Sequence, residues 1–349
     1  MDKPVENARM GVALVGAGMI AKTHVAALSA AGDVARLHAV VSRRPERAHY
    51  LKEYCHGVEP VFTDDLTGIV NDPAIQMVIV ATPPSVRNEL ISALAVAGKH
   101  VLLEKPVGRT TEEAVEVVEI CERAGVTLGV LFQHRVRAPA VAAKRIVESG
   151  ELGRLGLVEI AVPLWRDQSY YDEPGRGTYA RDGGGVMITN GIHSLDLALS
   201  LTGPVTRVQA MTATTPLHRM EAEDFALAGL TFANGASGSF VASTAMYPHR
   251  TEVITLHFEK GSLRMDKDTL VLSRRDGTSE EVARTAPGPE EGILSSRYDW
   301  HQAVIEDFID AVRTGRKPLV TGREALVSHR LIGAIETSSR TGRPVDLPA

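Results

Sequence analysis

Cysteine is nearly absent from this chain: Cys55 and Cys121 are the only two among 349 residues. Two cysteines cannot form a disulfide framework, so a reducing cytoplasm is the expected location. Aromatic residues make up only 5%, too few for a Trp/Tyr-rich binding module. No apolar run approaches the roughly 18 residues that read as a membrane-spanning helix, so no membrane role is expected. There is no long basic run either, and the formal net charge of -5 argues against nucleic acid, which needs a basic face. Residues 10–21 (MGVALVGAGMIA) come nearest to an export signal, but three glycines interrupt them. With 44% hydrophobic and 23% charged residues the chain is neither disordered nor collagen-like. At roughly 150 residues per domain, its length suggests about two domains.

Glycine, by contrast, is plentiful at 31 residues and punctuates a regular alternation. Residues 11–15, 37–41, 76–81, 100–103 and 126–132 are short apolar runs that read as strands. Helical patterns lie between them. One runs over 19–31, and another puts Leu90, Ile91, Leu94 and Ala95 on one face before stopping at Gly98. Thr110 and Glu113 have capping-box spacing ahead of a helix over 114–124. This alternation predicts parallel βαβ units with right-handed crossovers, a doubly wound Rossmann sheet of the α/β class.

The second half reads differently. Strand patterns at 157–164, 205–214, 224–233 and 236–245 have short connections, and Ile254, Leu256 and Phe258 alternate with period two. Asn234-Gly235, Lys260-Gly261 and Asp276-Gly277 are hairpin turns, so a mainly antiparallel sheet in an α+β domain is predicted. Helices are expected over 186–201, 301–312 and 324–338, with a loop at 286–292. The parallel pattern stops near 133–137, which divides the chain into a Rossmann domain (1–134) and a second α+β domain (135–349).

Gly16-Ala17-Gly18-Met19-Ile20-Ala21 matches G-x-G-x-x-A between the first strand and first helix. Gly16 permits the tight turn and Gly18 the approach of a pyrophosphate, while the start of the helix at Met19 and Ile20 offers its positive dipole end. The second strand ends not on an acidic residue, which would hold a free ribose hydroxyl, but on Ser42-Arg43-Arg44. A hydroxyl and two guanidinium groups suit a 2′-phosphate, so NADP is expected over NAD. Glu104-Lys105-Pro106 ends a parallel strand, where open α/β sheets bind ligands, and Lys105 is a candidate for exchanging a proton with a substrate hydroxyl. Gly183-Gly184-Gly185 leads into a helix carrying Asn190, His193 and Asp196, with His193 and Asp196 three residues apart on one face. Trp165, Arg166, Tyr179 and Arg181 belong to a polar, aromatic loop ahead of that helix, suited to a polyhydroxylated or anionic ligand. No metal site is expected.

These motifs, with Ala81-Thr82-Pro83-Pro84, residues 97–101 and the ending Thr341-Gly342-Arg343-Pro344, occur in the order of a known family. The chain resembles the glucose–fructose oxidoreductase / inositol dehydrogenase / rhizopine-catabolism (Gfo/Idh/MocA) oxidoreductases along nearly its whole length. The resemblance implies that Lys105 matches the catalytic lysine and His193 the active-site histidine. It implies that Thr82, Pro83 and Glu104 line the cofactor of a dinucleotide-binding domain (1–134). It implies too that the second domain (135–349) is for substrate binding and oligomerisation, an open antiparallel sheet that faces the active site on one side and a partner subunit on the other, in a homodimer or homotetramer. Two positions depart from the family pattern: Thr189 stands where an aspartate is frequent, and Arg87 where a histidine is.

The expected activity is reversible hydride transfer between a nicotinamide and a secondary alcohol of a sugar, polyol or related cyclic substrate. Lys105 would move the proton and His193 would hold the oxygen, with Thr189 and Asn190 near substrate and Asp196 orienting or packing beside His193. Two rival readings are a non-catalytic, cofactor-binding regulator and an enzyme that retains its cofactor and uses transient oxidation for elimination or hydrolysis.

Overall fold

The computed structural model describes residues 9–57, 59–288 and 297–348, so the loop expected at 286–292 lies outside the described residues from 289 on. The chain divides into two compact units. The first comprises residues 1–107, 115–133 and 287–323, and the second 108–114, 134–286 and 324–349. Sequence position alone does not set this division, because the segment around helix 299–314 belongs with the first unit.

The first unit is built on six strands: β1 (Met10–Val15), β2 (Ala35–Val41), β3 (Val61–Thr63), β4 (Met77–Val80), β5 (His100–Glu104) and β6 (Leu128–Leu131). They lie in the order β3-β2-β1-β4-β5-β6, and every pairing is parallel. Val12, Ala13 and Leu14 in β1 and Val78, Ile79 and Val80 in β4 are all fully buried, so these strands read as unbroken apolar runs. Helices α1 (Ala21–Ala30), α2 (Pro45–Ala48), α3 (Leu66–Asn71), α4 (Arg87–Val96) and α5 (Thr111–Ala124) connect them. Chain order reverses on either side of β1, and such a switch point opens a crevice at the strand ends.

In the second unit, α6 (Ala138–Ser149), which the sequence pattern did not suggest, precedes β7 (Leu155–Pro163). A short α7 (Gln168–Tyr171) and α8 (Ile192–Thr202) follow. Then come β8 (Val205–Ala213), β9 (Phe225–Phe232), β10 (Ser237–Ser243), β11 (Val253–Phe258), β12 (Gly261–Met265), β13 (Thr269–Arg274) and β14 (Ser279–Arg284). Helix α9 (Asp299–Thr314), which belongs to the first unit, comes next, and α10 (Gly322–Thr341) and edge strand β15 (Val345–Asp346) complete the chain. The nine-stranded sheet runs β14-β13-β12-β11-β7-β10-β9-β8-β15 and is antiparallel except where β10 pairs with β7. In β9 Ala226, Ala228, Leu230 and Phe232 are buried and alternate with outward residues, the pattern of a sheet with one covered face. Among the described residues no helix is long and apolar enough to cross a membrane.

Candidate functional site

In the first unit the candidate cofactor residues gather at the carboxyl ends of β1, β2, β4 and β5. Gly16 has φ 111°, and a Cβ there would stand 2.7 Å from the carbonyl of Ala81 at the end of β4, so only glycine fits. Around Gly18 the opposite holds: a Cβ would meet nothing within 4 Å, which leaves room for a phosphate. Ile20 immediately precedes α1, which has no side-chain cap and no acidic residue in its first turn, so nothing there opposes an anion at the positive end of the helix. Met19 is 68% exposed at the rim of this turn. Ser42 follows β2, its hydroxyl accepting from Arg44 N at 3.2 Å, and Arg43 and Arg44 are exposed. Thr82 and Pro83 follow β4, and Thr82 Oγ1 is buried with no hydrogen-bond partner. An orphaned hydroxyl beside an open glycine turn and an uncapped helix is a good fit to a dinucleotide.

Lys105 follows Glu104 at the end of β5 and is half-buried. Arg87 braces this strand end from α4. It is buried, donates to Thr82 O at 2.6 Å and to the main-chain oxygens of Glu104 and Pro106, and burial draws its pKa down to about 10. The position that departs from the family pattern is therefore a support for the backbone around Lys105. Glu104 does not face outward: its carboxylate accepts from His24 Nε2 at 2.9 Å, and His301 Nε2 lies 3.7 Å away. Neither histidine stands out in the sequence. The signal for His24 is its place on the buried face of α1, where a ring nitrogen needs a partner.

In the second unit, Gly185 lies so close to Glu223 that a Cβ would meet its carbonyl oxygen at 1.7 Å. The Glu223 carboxylate accepts from Gly185 N and Met187 N, both at 3.0 Å, and so satisfies the helix start after the glycine triplet. Where one continuous helix over 186–201 was predicted, residues Met187–Gly191 form a π turn before α8. Thr189 and Asn190 lie in this wide turn, a feature common at functional sites. The Thr189 hydroxyl donates to Gly185 O at 2.6 Å. His193, half-buried, is stacked on His134 with ring centroids 4.4 Å apart and planes 18° from parallel. Asp196 does not orient His193. Arg135 grips its carboxylate with two bonds of 2.8 and 2.7 Å, in a pair buried on the acidic side. His134, Arg135 and Glu223 all escaped the sequence reading, because their partners are more than 30 residues away.

The polar loop is clamped from behind. His218 bonds Asp224 and the carbonyl of Arg166, each at 2.8 Å, and the Tyr171 hydroxyl meets Thr244 Oγ1 at 2.6 Å. Trp165 packs edge-on against Tyr247 at 5.6 Å, and Arg166 stands 5.4 Å over the Tyr170 ring. Arg181 is held by Glu173 at 3.1 Å, whereas Tyr179 is 46% exposed. On α10, Glu336 sits near Glu223: both carboxylates lie within 4 Å of where a Gly184 Cβ would be. Burial first, then the charge of Glu223, raises Glu336 to about 7.

Comparison with known proteins adds the lineage. Residues 10–132 match the family described as "Oxidoreductase family, NAD-binding Rossmann fold", and residues 140–264 match the GFO/IDH/MocA C-terminal domain. The structure is similar to that of the WlbA dehydrogenase from Bordetella pertussis in complex with NADH and UDP-GlcNAcA. That likeness has a TM-score of 0.82 at 32% identity and covers 98% of this chain and 99% of the other. In sequence the chain is 28% identical to D-apiose dehydrogenase of Paraburkholderia graminis, over 96% of this chain and 89% of that protein. It is also 28% identical to scyllo-inositol 2-dehydrogenase (NAD(+)) of Bacillus subtilis, over 83% of each. The chain belongs to the Gfo/Idh/MocA family of NAD(P)-dependent oxidoreductases.

Proposed function

We propose that this member of the family reversibly oxidises a secondary alcohol of a sugar, polyol or related cyclic substrate, with NADP favoured over NAD. The observation that carries the reading is Lys105 at the end of β5, beside the strand whose end holds Thr82 and one strand further from the glycine turn. When bound, the nicotinamide supplies the two-electron chemistry. Lys105 takes the hydroxyl proton on oxidation and returns it on reduction, and His193 of the second unit is a substrate-binding group. Thr189 is no carboxylate base, and its hydroxyl is already turned to Gly185 O, so proton transfer rests on Lys105. Trp165, Arg166, Tyr179 and Asn190 contact the substrate. Arg176 and Arg181 pair with Glu173, which leaves Arg166 as the loop guanidinium without an ion pair among the described residues. Assembly into a homodimer or homotetramer through the outer face of the second sheet, where Leu157, Met211 and Leu227 are exposed, belongs to the same proposal.

The test is a panel of sugars, polyols and cyclic diols assayed with both cofactors by nicotinamide absorbance. Lys105→Ala is expected to lose about a hundredfold or more in kcat on the best substrate. Turnover close to wild type in that variant would refute the assignment. Cofactor that stays bound through gel filtration, with no net reduction during turnover, would point instead to elimination or hydrolysis.

A further inference from the structure

Directly before Lys105 lies a buried polar cluster drawn from three distant parts of the chain. Glu104 ends β5, His24 is in the first turn of α1 beyond the glycine turn, and His301 is in the first turn of α9. His24 donates from Nε2 to Glu104 Oε1 at 2.9 Å, and His301 Nε2 lies 3.7 Å from that same oxygen. The two imidazoles meet edge to face with centroids 5.2 Å apart. Side-chain exposures are 0% for His24, 5% for His301 and 10% for Glu104. A carboxylate that deep costs several kcal/mol unless it is paired. An apolar residue would fill the space without that cost, so a charge kept next to Lys105 calls for a purpose.

We propose that Glu104 is a positioning residue, held by His24 and His301, that fixes where the backbone presents Lys105. The inference rests on the role given to Lys105 above. The charged and titratable groups facing the carboxylate are His24 from α1, His301 from α9 and Arg87 from α4. Burial pushes the Glu104 carboxyl up, but the hydrogen bond from His24 and the nearby imidazole of His301 outweigh it and hold the group below the usual carboxylate range. Burial keeps His24 below its ordinary value, so it donates as a neutral imidazole. Loss of the His301 imidazole therefore moves Glu104 upward, and the ordered state of the strand end is lost at a higher pH than before.

The experiment compares His301→Ala, His301→Gln and Lys105→Ala in the full-length protein. In His301→Ala, kcat on the best panel substrate is expected to fall about tenfold with KM changed far less, because small misplacements act on the chemical step. The acid limb of the kcat–pH profile moves to higher pH. His301→Gln, which keeps an N–H donor, recovers most of both. Independently of turnover, side-chain carboxyl carbon NMR, with Glu104 assigned by its absence in Glu104→Gln, is expected to show Glu104 titrating higher in His301→Ala. An unchanged acid limb, kcat and Glu104 titration in a folded His301→Ala would overturn the inference. Wild-type turnover in Lys105→Ala would overturn instead the reading beneath it.

Discussion

At the end of β2, Arg43 and Arg44 are exposed and have no carboxylate partner among the described residues. A guanidinium is a planar fork that matches phosphate oxygens, and a charge-assisted hydrogen bond contributes about 1.5–3 kcal/mol. Removing one is therefore expected to raise the KM for NADP by about tenfold or more while leaving that for NAD nearly unchanged. Steady-state kinetics of Arg43→Ala and Arg44→Ala with both cofactors decide this, and equal affinities unaffected by either change would contradict the 2′-phosphate assignment. Ser42 is a weaker probe, because its hydroxyl already accepts from Arg44 N. The stacked pair His193 and His134 illustrates a different dependence, since the ring that is proposed to bind substrate is itself seated against a second imidazole. Neither residue's sequence neighbourhood announces that contact.

The start of the histidine-bearing helix shows how an element can be legible in type and hidden in detail. Three glycines followed by an apolar run announce a turn and a helix, and both are present. The π turn over Met187–Gly191 is not announced, because its cause is tertiary: Glu223, from just before β9, binds Gly185 N and Met187 N. Likewise β1 and β4 were readable as continuous apolar runs and β9 by alternation, whereas α6 was obscured by its short, small-residue apolar face. The pairing of Asp196 with Arg135 was unreadable for the same reason as that of Glu104 with His301, since spacing along the chain says nothing about a partner on another element. Glu336 adds a measurable consequence here. Its native pKa of about 7 stands above the unfolded value, so the native state holds the proton more tightly. Stability is then greatest below the unfolded pKa and falls as pH rises toward 7. Glu336→Gln is accordingly expected to raise the melting temperature at pH 8 by about 2 °C or more, with a smaller gain at pH 5. An equal shift at both pH values, measured by scanning calorimetry, would show that the carboxyl is not strained.

Over the whole chain, the first unit is discontinuous. Its core takes Phe308, fully buried and so close to Gly129 on β6 that a Cβ there would meet the ring at 2.5 Å. Val304, Ile305 and Ile309 on α9 are buried with it, and α9 packs on α1. Residues 1–134 produced alone would leave that apolar surface open. Such a fragment is expected to bind an apolar fluorescent dye and to melt without a cooperative transition. Joining residues 297–323 to it through a short linker is expected to restore the transition. Cooperative melting of the shorter fragment would show α9 to be dispensable. The same discontinuity bears on recombination. A single crossover near residue 134 with a related gene would exchange the antiparallel sheet and, unavoidably, the helix that carries His301. A chimera intended to inherit only a new second sheet would then also inherit a foreign neighbour for Glu104. Keeping the native one takes two further joins around residues 287–323, so the antiparallel sheet and the surroundings of Glu104 are genetically linked in this chain.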